Sequence, residues 1–256
     1  MASNVREALI DGIRSLPDRA LVAFAGGSRV SGGLAEQAYR AIREAIQEGR
    51  VLPGQRVPEL ELCAWLKMSR TPVREALRRL QSDGMLAHAA GGGLAVAQHD
   101  LRAVAELYDV RESLEGTAAA LAARNGDETE VHILQAMLDS HRHLPNDPKA
   151  HARENALFHE HIYRAARNRF LLKSLQDLHD AVALLGRTTF AAPGRIDEAW
   201  LQHEAIVAAI RRHDAGAAEA LARAHVRRGY QLRLAAIAED TQAGPQSRIE
   251  QSLRMA

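Results

Sequence analysis

The sequence is short of cysteine, aromatic residues and long hydrophobic runs, and each shortage excludes a class of protein. Among 256 residues there is one cysteine, Cys63, which excludes an intrachain disulfide and a zinc finger built on cysteines. Aromatic residues make up 4%, which argues against a surface that stacks nucleic-acid bases. No stretch approaches the roughly 20 apolar residues of a membrane span, and the N-terminus has no signal-peptide pattern. We therefore predict a cytoplasmic protein with no membrane partner.

Charge and histidine content divide the chain into two parts. Residues 31–97 hold nine Lys or Arg against seven Asp or Glu, whereas residues 98–240 hold 18 against 21, and 11 of the 12 histidines. This asymmetry predicts a slightly basic domain at 31–97 and a histidine-rich domain at 98–240. Residues 1–30, which include the linker-like Ala25-Gly26-Gly27-Ser28, are interpreted as a flexible arm, and residues 241–256 as a polar tail.

The first domain shows the pattern of three short helices followed by a hairpin. Helical periodicity covers 34–47 and 59–67, and Ser69 can cap a third helix that runs to about Asp83. Strand-like residues then flank Gly91-Gly92-Gly93, which is typical of a hairpin with a glycine tip. These elements together predict a winged helix-turn-helix.

The third helix of this domain carries a basic face. Arg70, Arg74 and Arg78 recur every four residues, on a different arc from the apolar residues. The guanidinium group of arginine can donate two hydrogen bonds to the edge of a guanine, and Ser69 and Thr71 at the start of the helix can bind phosphate oxygens. A solvated face with ordinary ion pairs is the alternative. The predicted helix-turn-helix frame favours double-stranded operator DNA as the partner.

The second domain is predicted to be a bundle of helices. Its helical patterns cover six segments: 100–124, 128–143, 148–167, 170–190, 195–213 and 215–239. No strand pattern competes with them, and the breaks between them are short, which is typical of antiparallel neighbours. The predicted fold class is therefore mainly α, with an N-terminal winged helix-turn-helix followed by an all-α bundle of six antiparallel helices.

Three of these helices each direct a histidine toward the bundle interior. Asn155 and His159 are one turn apart and can face one ion, while His203 and His225 lie on apolar stripes of two later helices. Imidazole nitrogens with an amide oxygen suit a divalent metal ion, zinc first, with nickel or manganese as other choices. A single inward histidine is more often a hydrogen-bonded core residue. His179 also faces inward by periodicity and could replace or support a ligand. Three others are interpreted as surface or rim residues: His151, His161 and His213.

A nine-residue run at the start of the third helix is highly specific. The run is Ser69-Arg70-Thr71-Pro72-Val73-Arg74-Glu75-Ala76-Leu77, and Leu52-Pro53-Gly54 and Glu61-Leu62 precede it. With these motifs the first domain resembles the DNA-binding domain of GntR-family bacterial transcription regulators. The resemblance implies that Arg70, Thr71 and Arg74 contact operator bases and backbone, and that Gly91 at the wing tip approaches the minor groove.

The second domain has matching motifs of its own: Tyr108-Asp109-Val110-Arg111, Asn155-Ala156-Leu157-Phe158-His159, His203-Glu204-Ala205-Ile206 and His225. With them it resembles the FCD effector domain of the FadR subfamily, and its six helices resemble the VanR-type branch. The resemblance implies that Arg111 holds the carboxylate of an effector beside the metal. A helix-surface ion pair between Arg111 and Glu115 is the alternative. The first ligand in this family is often Asp, so the neutral Asn155 predicts a weaker site.

These features together predict a regulator that responds to a ligand. We expect a homodimer that binds an inverted-repeat operator as a repressor and is released by a small organic acid at the metal site. One alternative is a metal-dependent enzyme, although neither His159-Glu160 nor His203-Glu204 completes an H-E-x-x-H motif. Another alternative is a metal that serves only stability.

Overall fold

In a computed structural model the described residues are 33–254, and from residue 240 onward the description covers the helical backbone alone. The predicted flexible arm, residues 1–30, lies outside them. The chain divides into two compact units: the first contains the described residues 33–102 together with 179–186, and the second contains 103–178 with 187–254. No helix in the described part of the chain is long and apolar enough to cross a membrane.

The first unit contains the elements that the sequence predicts for a winged helix-turn-helix. The helices are α1 (Leu34–Gln47), α2 (Glu59–Leu66) and α3 (Arg70–Ser82), and the strands are β1 (Leu86–His88) and β2 (Leu94–Val96). The two strands pair antiparallel. Helix α1 packs against α3 over a shared apolar core: Ala38, Ile42, Ile46, Val73, Leu77 and Leu80.

The ends of α3 and the turn of the hairpin follow from local chemistry. Ser69 occupies the N-cap position in an extended conformation, although its side chain makes no capping hydrogen bond. Pro72 lies in the first turn, where a missing N–H costs no helical bond. Gly91, Gly92 and Gly93 have φ values of +82°, +89° and +81°, in the left-handed region that glycine adopts without steric cost. This confirms the glycine-tipped wing.

Six further helices follow in the described part of the chain, which confirms the predicted number: α4 (Leu101–Asn125), α5 (Glu128–His141), α6 (Pro148–Ala165), α7 (Arg169–Ala183), α8 (Arg195–Arg211) and α9 (Ala215–Arg254). Asp127 and Glu130 form a reciprocal capping box at the start of α5. Asp147 caps α6 by accepting hydrogen bonds from the backbone N–H groups of Lys149 and Ala150. These caps satisfy backbone donors that have no partner inside the helices.

Aromatic rings fill the centre of the second unit. Phe158 on α6 and Trp200 on α8 are buried, and their ring centroids lie 6.1 Å apart in an edge-on arrangement. Aliphatic and small residues surround them: Ala118, Ala122, Leu134, Leu138, Ile206 and Ile210. Burial of each large apolar side chain contributes about 1.5–3 kcal/mol. This core therefore holds α6 and α8 against each other at the point where both carry a histidine.

Two segments differ from the prediction. The fourth helix of the bundle, predicted over 170–190, ends at Ala183, because Gly186 adopts a left-handed φ of +80°. A short 3₁₀ turn, Thr189–Ala191, then leads toward α8 and buries Phe190. At the other end, α9 continues to Arg254, through most of the segment predicted as a polar tail.

Candidate functional site

The exposed side of α3 carries the basic face predicted from the sequence. Arg70, Thr71, Arg74 and Arg78 are exposed, as is Ser69 immediately before the helix. The buried residues of α3 form its other side: Pro72, Val73, Ala76, Leu77 and Leu80. The helix is thus anchored by its apolar side and presents a row of guanidinium groups to solvent.

Glu59 on α2 is shared by two of these arginines. Arg74 Nε donates to Glu59 Oε2 at 2.7 Å, and Arg70 Nε lies 3.8 Å from Glu59 Oε1. The hydrogen bond from Arg74 to Glu59 raises the pKa of the guanidinium. Any anion that binds Arg74 must therefore compete with this carboxylate. The sequence did not predict the pair, because the two residues lie 15 positions apart on different helices.

Arg56, whose role the sequence also did not predict, holds the tip of the wing. Its Nη1 donates to the carbonyl oxygen of Gly92 at 2.9 Å, and its Nη2 donates to that of Ala90 at 2.6 Å. Arg56 also forms a backbone bridge with Ala95 in β2. Gly91 is exposed at this tip. Three successive glycines favour no single conformation by themselves, so the contacts from Arg56 stabilise the conformation of the tip.

Three histidines from three helices converge inside the second unit. His159 on α6, His203 on α8 and His225 on α9 are all buried, and His203 is 0% exposed. The Nε2 atoms of His159 and His225 are 3.3 Å apart, and those of His203 and His225 are 3.4 Å apart. The structure thus brings together the three histidines that the sequence singles out as metal ligands, and their ring nitrogens are close enough to share one ion.

The spacing of these nitrogens fits a bound divalent metal ion. In a tetrahedral zinc site with Zn–N bonds of about 2.0–2.1 Å, neighbouring nitrogens lie about 3.3 Å apart. Asn155 lies one turn before His159 on α6, and its Oδ1 is buried with no hydrogen-bond partner among the described residues. A buried oxygen without a partner is unusual and is the kind of donor that a cation would satisfy. Three imidazoles and one amide oxygen therefore form a chemically reasonable ligand set.

Two of the histidines have a polar partner at the other ring nitrogen. His225 Nδ1 lies 2.8 Å from Gln202 Oε1, and His159 Nδ1 lies 3.1 Å from Glu115 Oε2 on α4. Glu115 Oε1 also accepts from Arg111, at 2.9 Å from Nε and 2.8 Å from Nη2. The ion pair that the sequence suggested between Arg111 and Glu115 is thus present. It is not a surface pair, because Glu115 is 4% exposed and the same carboxylate contacts His159.

Burial and neighbouring charges set the protonation of this cluster. Burial, together with the neighbouring imidazoles, lowers the pKa of both His203 and His225 well below the usual 6.5. Burial alone would raise the pKa of Glu115, but Arg111 and His159 beside it hold that pKa well below its ordinary range. At neutral pH His203 and His225 therefore present neutral imidazoles, and the nearby carboxylate of Glu115 is ionised and paired with Arg111.

Of the four other histidines with predicted positions, two differ from the prediction and two agree. His179 is exposed, so its predicted inward orientation is wrong; the end of α7 that carries it belongs to the first unit and not to the bundle. His151, predicted at the surface or rim, is buried and its Nδ1 accepts a hydrogen bond from Trp200 Nε1 at 3.2 Å. His213 is exposed and His161 is half-buried, as the rim interpretation predicts.

Comparison with protein families matches both halves of the chain. Residues 34–96 match the model described as "Bacterial regulatory proteins, gntR family", and residues 106–228 match the FCD domain. The first region holds α1 to α3 with the wing, and the second holds Arg111 and all three histidines of the cluster. The predicted resemblance is therefore confirmed for the DNA-binding and effector domains alike.

Individual relatives support the same assignment. A probable D-xylose utilization operon transcriptional repressor of Paenarthrobacter nicotinovorans is 31% identical over 196 residues, 75% of this chain and 85% of the relative. The uncharacterized HTH-type regulator YdhC of Bacillus subtilis is 28% identical over 192 residues, 74% of this chain and 86% of the relative. The solved structure of E. coli McbR/YncC has the same fold, with a TM-score of 0.70 and 24% identity over 82% of this chain and 99% of that one. These families and relatives are regulators rather than enzymes, and the chain is a transcription regulator of the GntR family whose helical half is an FCD domain.

Proposed function

We propose that this regulator acts in the bacterial cytoplasm as a metal-dependent, effector-responsive repressor. Two chains would pair so that two α3 helices meet the half-sites of an inverted-repeat operator, about one helical turn of DNA apart. A small organic acid would bind at the metal in the FCD domain and release the operator. The observation that carries the proposal is the convergence of three Nε2 atoms from α6, α8 and α9.

The DNA side of the proposal rests on the exposed face of α3. Arg70 and Arg74 would reach guanine edges or phosphates in the major groove, and Arg78 extends the same row by one turn. Ser69 and Thr71 lie where the free N–H groups of the first turn also suit phosphate. Gly91 at the exposed wing tip carries no side chain, which favours close approach to the minor groove.

The metal side of the proposal assigns Asn155, His159, His203 and His225 as ligands. Zinc fits this nitrogen-rich set best, and nickel or manganese would also accept it. When bound, the ion would supply positive charge and open positions for an effector carboxylate. The neutral amide of Asn155 adds no negative charge, so the site would bind its ion less tightly than one with a carboxylate there.

Arg111 is the proposed anchor for the effector. Its Nε and Nη2 hold Glu115, and Glu115 in turn contacts His159, so the guanidinium and the histidines belong to one connected group. Nη1 is not used in that ion pair. A carboxylate that reaches the metal would come within range of this remaining donor, and charge-assisted hydrogen bonds of this kind are strong.

Release of DNA requires that the effector favours one arrangement of the dimer over another. A coupling free energy of about 1–3 kcal/mol is typical and changes operator affinity by about 5- to 150-fold. The Paenarthrobacter relative is named as a probable repressor, which supports repression rather than activation as the proposed effect on transcription. Transcription of a reporter gene with and without the effector would measure whether this protein represses or activates.

The first experiment measures the metal and the DNA together. Elemental analysis of the purified protein should give close to one divalent metal per chain. A gel shift on DNA upstream of its own gene should show a retarded band that a chelator alters. Operator binding by protein that holds no metal, even after zinc is supplied, would contradict the metal site while leaving the regulator intact.

The burial of the cluster favours a second candidate, a metal that only stabilises the fold. With exposures of 7% or less, the three histidines are as closed as those of a structural zinc site. In that case chelation would lower the melting temperature without changing how the protein responds to small acids. Under the main proposal chelation removes the response itself.

Replacing Glu59 with glutamine is expected to strengthen DNA binding by about 2- to 5-fold. The carboxylate occupies Arg74 and Arg70 in the free protein and would also repel phosphate, and exposed ion pairs are worth about 0.2–1 kcal/mol. Fluorescence anisotropy with the upstream DNA measures the change. Glu75→Gln on α3 removes the same charge and serves as the control. Weaker binding of Glu59→Gln would show that the carboxylate positions Arg74 rather than competing for it.

Replacing Arg111 with lysine is expected to weaken effector binding about tenfold or more while metal content stays unchanged. Lysine keeps a positive charge beside the buried Glu115, but its single nitrogen cannot hold that carboxylate as a fork and also present the separate donor that Nη1 offers to the effector. Calorimetry with a panel of small mono- and dicarboxylates on zinc-loaded protein measures the effect. If metal content fell along with effector binding, Arg111 would have a structural role instead.

A further inference from the structure

Gln202 on α8 lies between a buried arginine and the histidine cluster, and none of the roles above uses it. Its Oε1 accepts a hydrogen bond from Arg195 Nη1 at 3.0 Å and lies 2.8 Å from His225 Nδ1. Arg195, at the start of the same helix, is 3% exposed, so its guanidinium is largely shielded from water. The guanidinium is held further by Glu198 at 3.5 Å and by the ring of Phe190.

Arg195 determines which end of the Gln202 amide faces the cluster. A guanidinium nitrogen only donates hydrogen bonds, so the amide atom next to it must be the oxygen. That same oxygen lies beside His225 Nδ1, and an acceptor there requires the ring proton to be on Nδ1. His225 Nε2 is then left without a hydrogen and directs its lone pair at the Nε2 atoms of His159 and His203.

The other tautomer of His225 would close the cluster against a metal. A hydrogen on His225 Nε2 would point toward the Nε2 atoms of His159 and His203, which are 3.3 Å and 3.4 Å away. Those are hydrogen-bonding distances, so His225 could donate to one of the two rings, and its own Nε2 lone pair would no longer be available. With the proton on Nδ1, no such bond from His225 forms, and the Nε2 lone pair of His225 stays available to a cation.

We propose that Gln202 is a positioning residue that selects the metal-binding tautomer of His225, and that Arg195 fixes the orientation of its amide. The inference rests on the metal site proposed above. Partners of this kind, on the far side of a ligating imidazole, typically change metal affinity by about 10–100-fold.

The test compares two substitutions of Gln202 in the full-length protein. Gln202→Leu removes the acceptor and should weaken Zn²⁺ binding by about 10–100-fold, measured by competition with a chromophoric chelator. Gln202→Glu keeps an oxygen acceptor and should retain affinity close to that of the wild type. Gln135→Leu is the matched control, because Gln135 also accepts from an arginine, Arg211, but its partners include no histidine.

Nitrogen NMR of metal-free protein reads the tautomer directly and does not depend on metal binding. With ¹⁵N-labelled histidine, and with the His225 signals assigned by their disappearance in His225→Gln, the wild type should carry the ring proton on Nδ1. Gln202→Leu should shift His225 toward the Nε2 tautomer, and Gln202→Glu should not.

Each result then bears on one of the two proposals. Wild-type His225 protonated on Nε2, or folded Gln202→Leu with unchanged zinc affinity, would overturn the role of Gln202. A wild-type protein that binds no zinc but shows the Nδ1 tautomer would overturn the metal site instead, while Gln202 would still set the proton position. If Gln202→Leu fails to fold, the role of Gln202 is tested by the tautomer of His225 in the wild type and by the zinc affinity of Gln202→Glu.

Discussion

Replacing His203 with alanine is expected to lower zinc affinity by more than about 100-fold, because removal of a direct ligand should exceed the about 10–100-fold cost of removing an outer partner. His203 is the most deeply buried of the three histidines, and its Nε2 lies 3.4 Å from that of His225. Without it, two imidazoles and a neutral amide remain. Competition with a chelator measures the affinity, and elemental analysis after gel filtration measures the retained metal.

Thermal unfolding provides a second measurement of the same change. At a free zinc concentration 100 times the dissociation constant, a metal that binds only the folded state stabilises it by about 2.7 kcal/mol. Wild-type protein should gain this amount on zinc addition, whereas the His203→Ala protein should gain almost nothing. The comparison is made within each variant, with and without zinc, so any change in intrinsic stability cancels.

Two controls separate removal of a ligand from damage to the core. The His203 ring stacks on Phe158 with centroids 4.3 Å apart, so alanine also leaves a cavity. His225→Gln should lose metal through a different helix and keep a polar side chain of similar size. His132→Ala on α5, an exposed histidine, should leave metal content unchanged. Full zinc occupancy in both His203→Ala and His225→Gln would overturn the ligand assignment.

Periodicity is enough to predict the parts of this structure that depend on one helix at a time. Helix α1 has the bounds that the sequence predicts, and α2 and α3 agree within one residue. The inward histidines at 159, 203 and 225 each lie on a stripe of apolar side chains, and a stripe that is buried carries its polar members inward with it. The spacing within each helix therefore identifies three metal-ligand candidates without any knowledge of which helices are neighbours.

The sequence could not show which residues of different helices meet. Glu115, Gln202 and Arg195 complete the polar surroundings of the cluster, but their roles depend on how α4, α8 and α9 pack. His179 shows the converse error: it lies on an apolar side of α7, yet that end of the helix is outside the bundle core. The sequence also predicted α7 to be longer than it is. Gly186 adopts a left-handed φ just after the helix, but one glycine between two apolar stretches does not change the periodicity from which the helix was predicted.

Replacing Arg74 with alanine is expected to weaken operator binding by about 1–3 kcal/mol per half-site, a factor of about 5 to 150. The side chain is exposed on the basic face of α3, while the residues that anchor the helix face the core. The fold should therefore persist, which far-UV circular dichroism and the melting temperature check. The operator for this measurement comes from random-site selection with the wild-type protein.

The salt dependence of binding separates the two kinds of interaction that Arg74 can make. If Arg74 reads a base, the substitution should weaken the operator far more than unrelated DNA. If it binds a phosphate, both should weaken alike, and the slope of log affinity against log salt should fall by about 1 for each phosphate that is no longer neutralised. Arg164→Ala on α6, which removes an exposed charge paired with Glu160, is the control and should change neither quantity.

Glu59 contributes to the expected loss of DNA affinity in Arg74→Ala, and this contribution can be measured separately. In Arg74→Ala the carboxylate of Glu59 loses its hydrogen-bonded partner at 2.7 Å and would face the DNA without compensation. Part of the measured weakening would then be repulsion of phosphate rather than a missing interaction with Arg74. A double-mutant cycle with Glu59→Gln isolates that part. If Arg74→Ala weakens binding equally with Glu59 and with Gln at position 59, Arg74 binds the DNA directly. If the double variant binds as well as wild type, Arg74 serves mainly to neutralise Glu59, and base reading falls to Arg70 and Thr71.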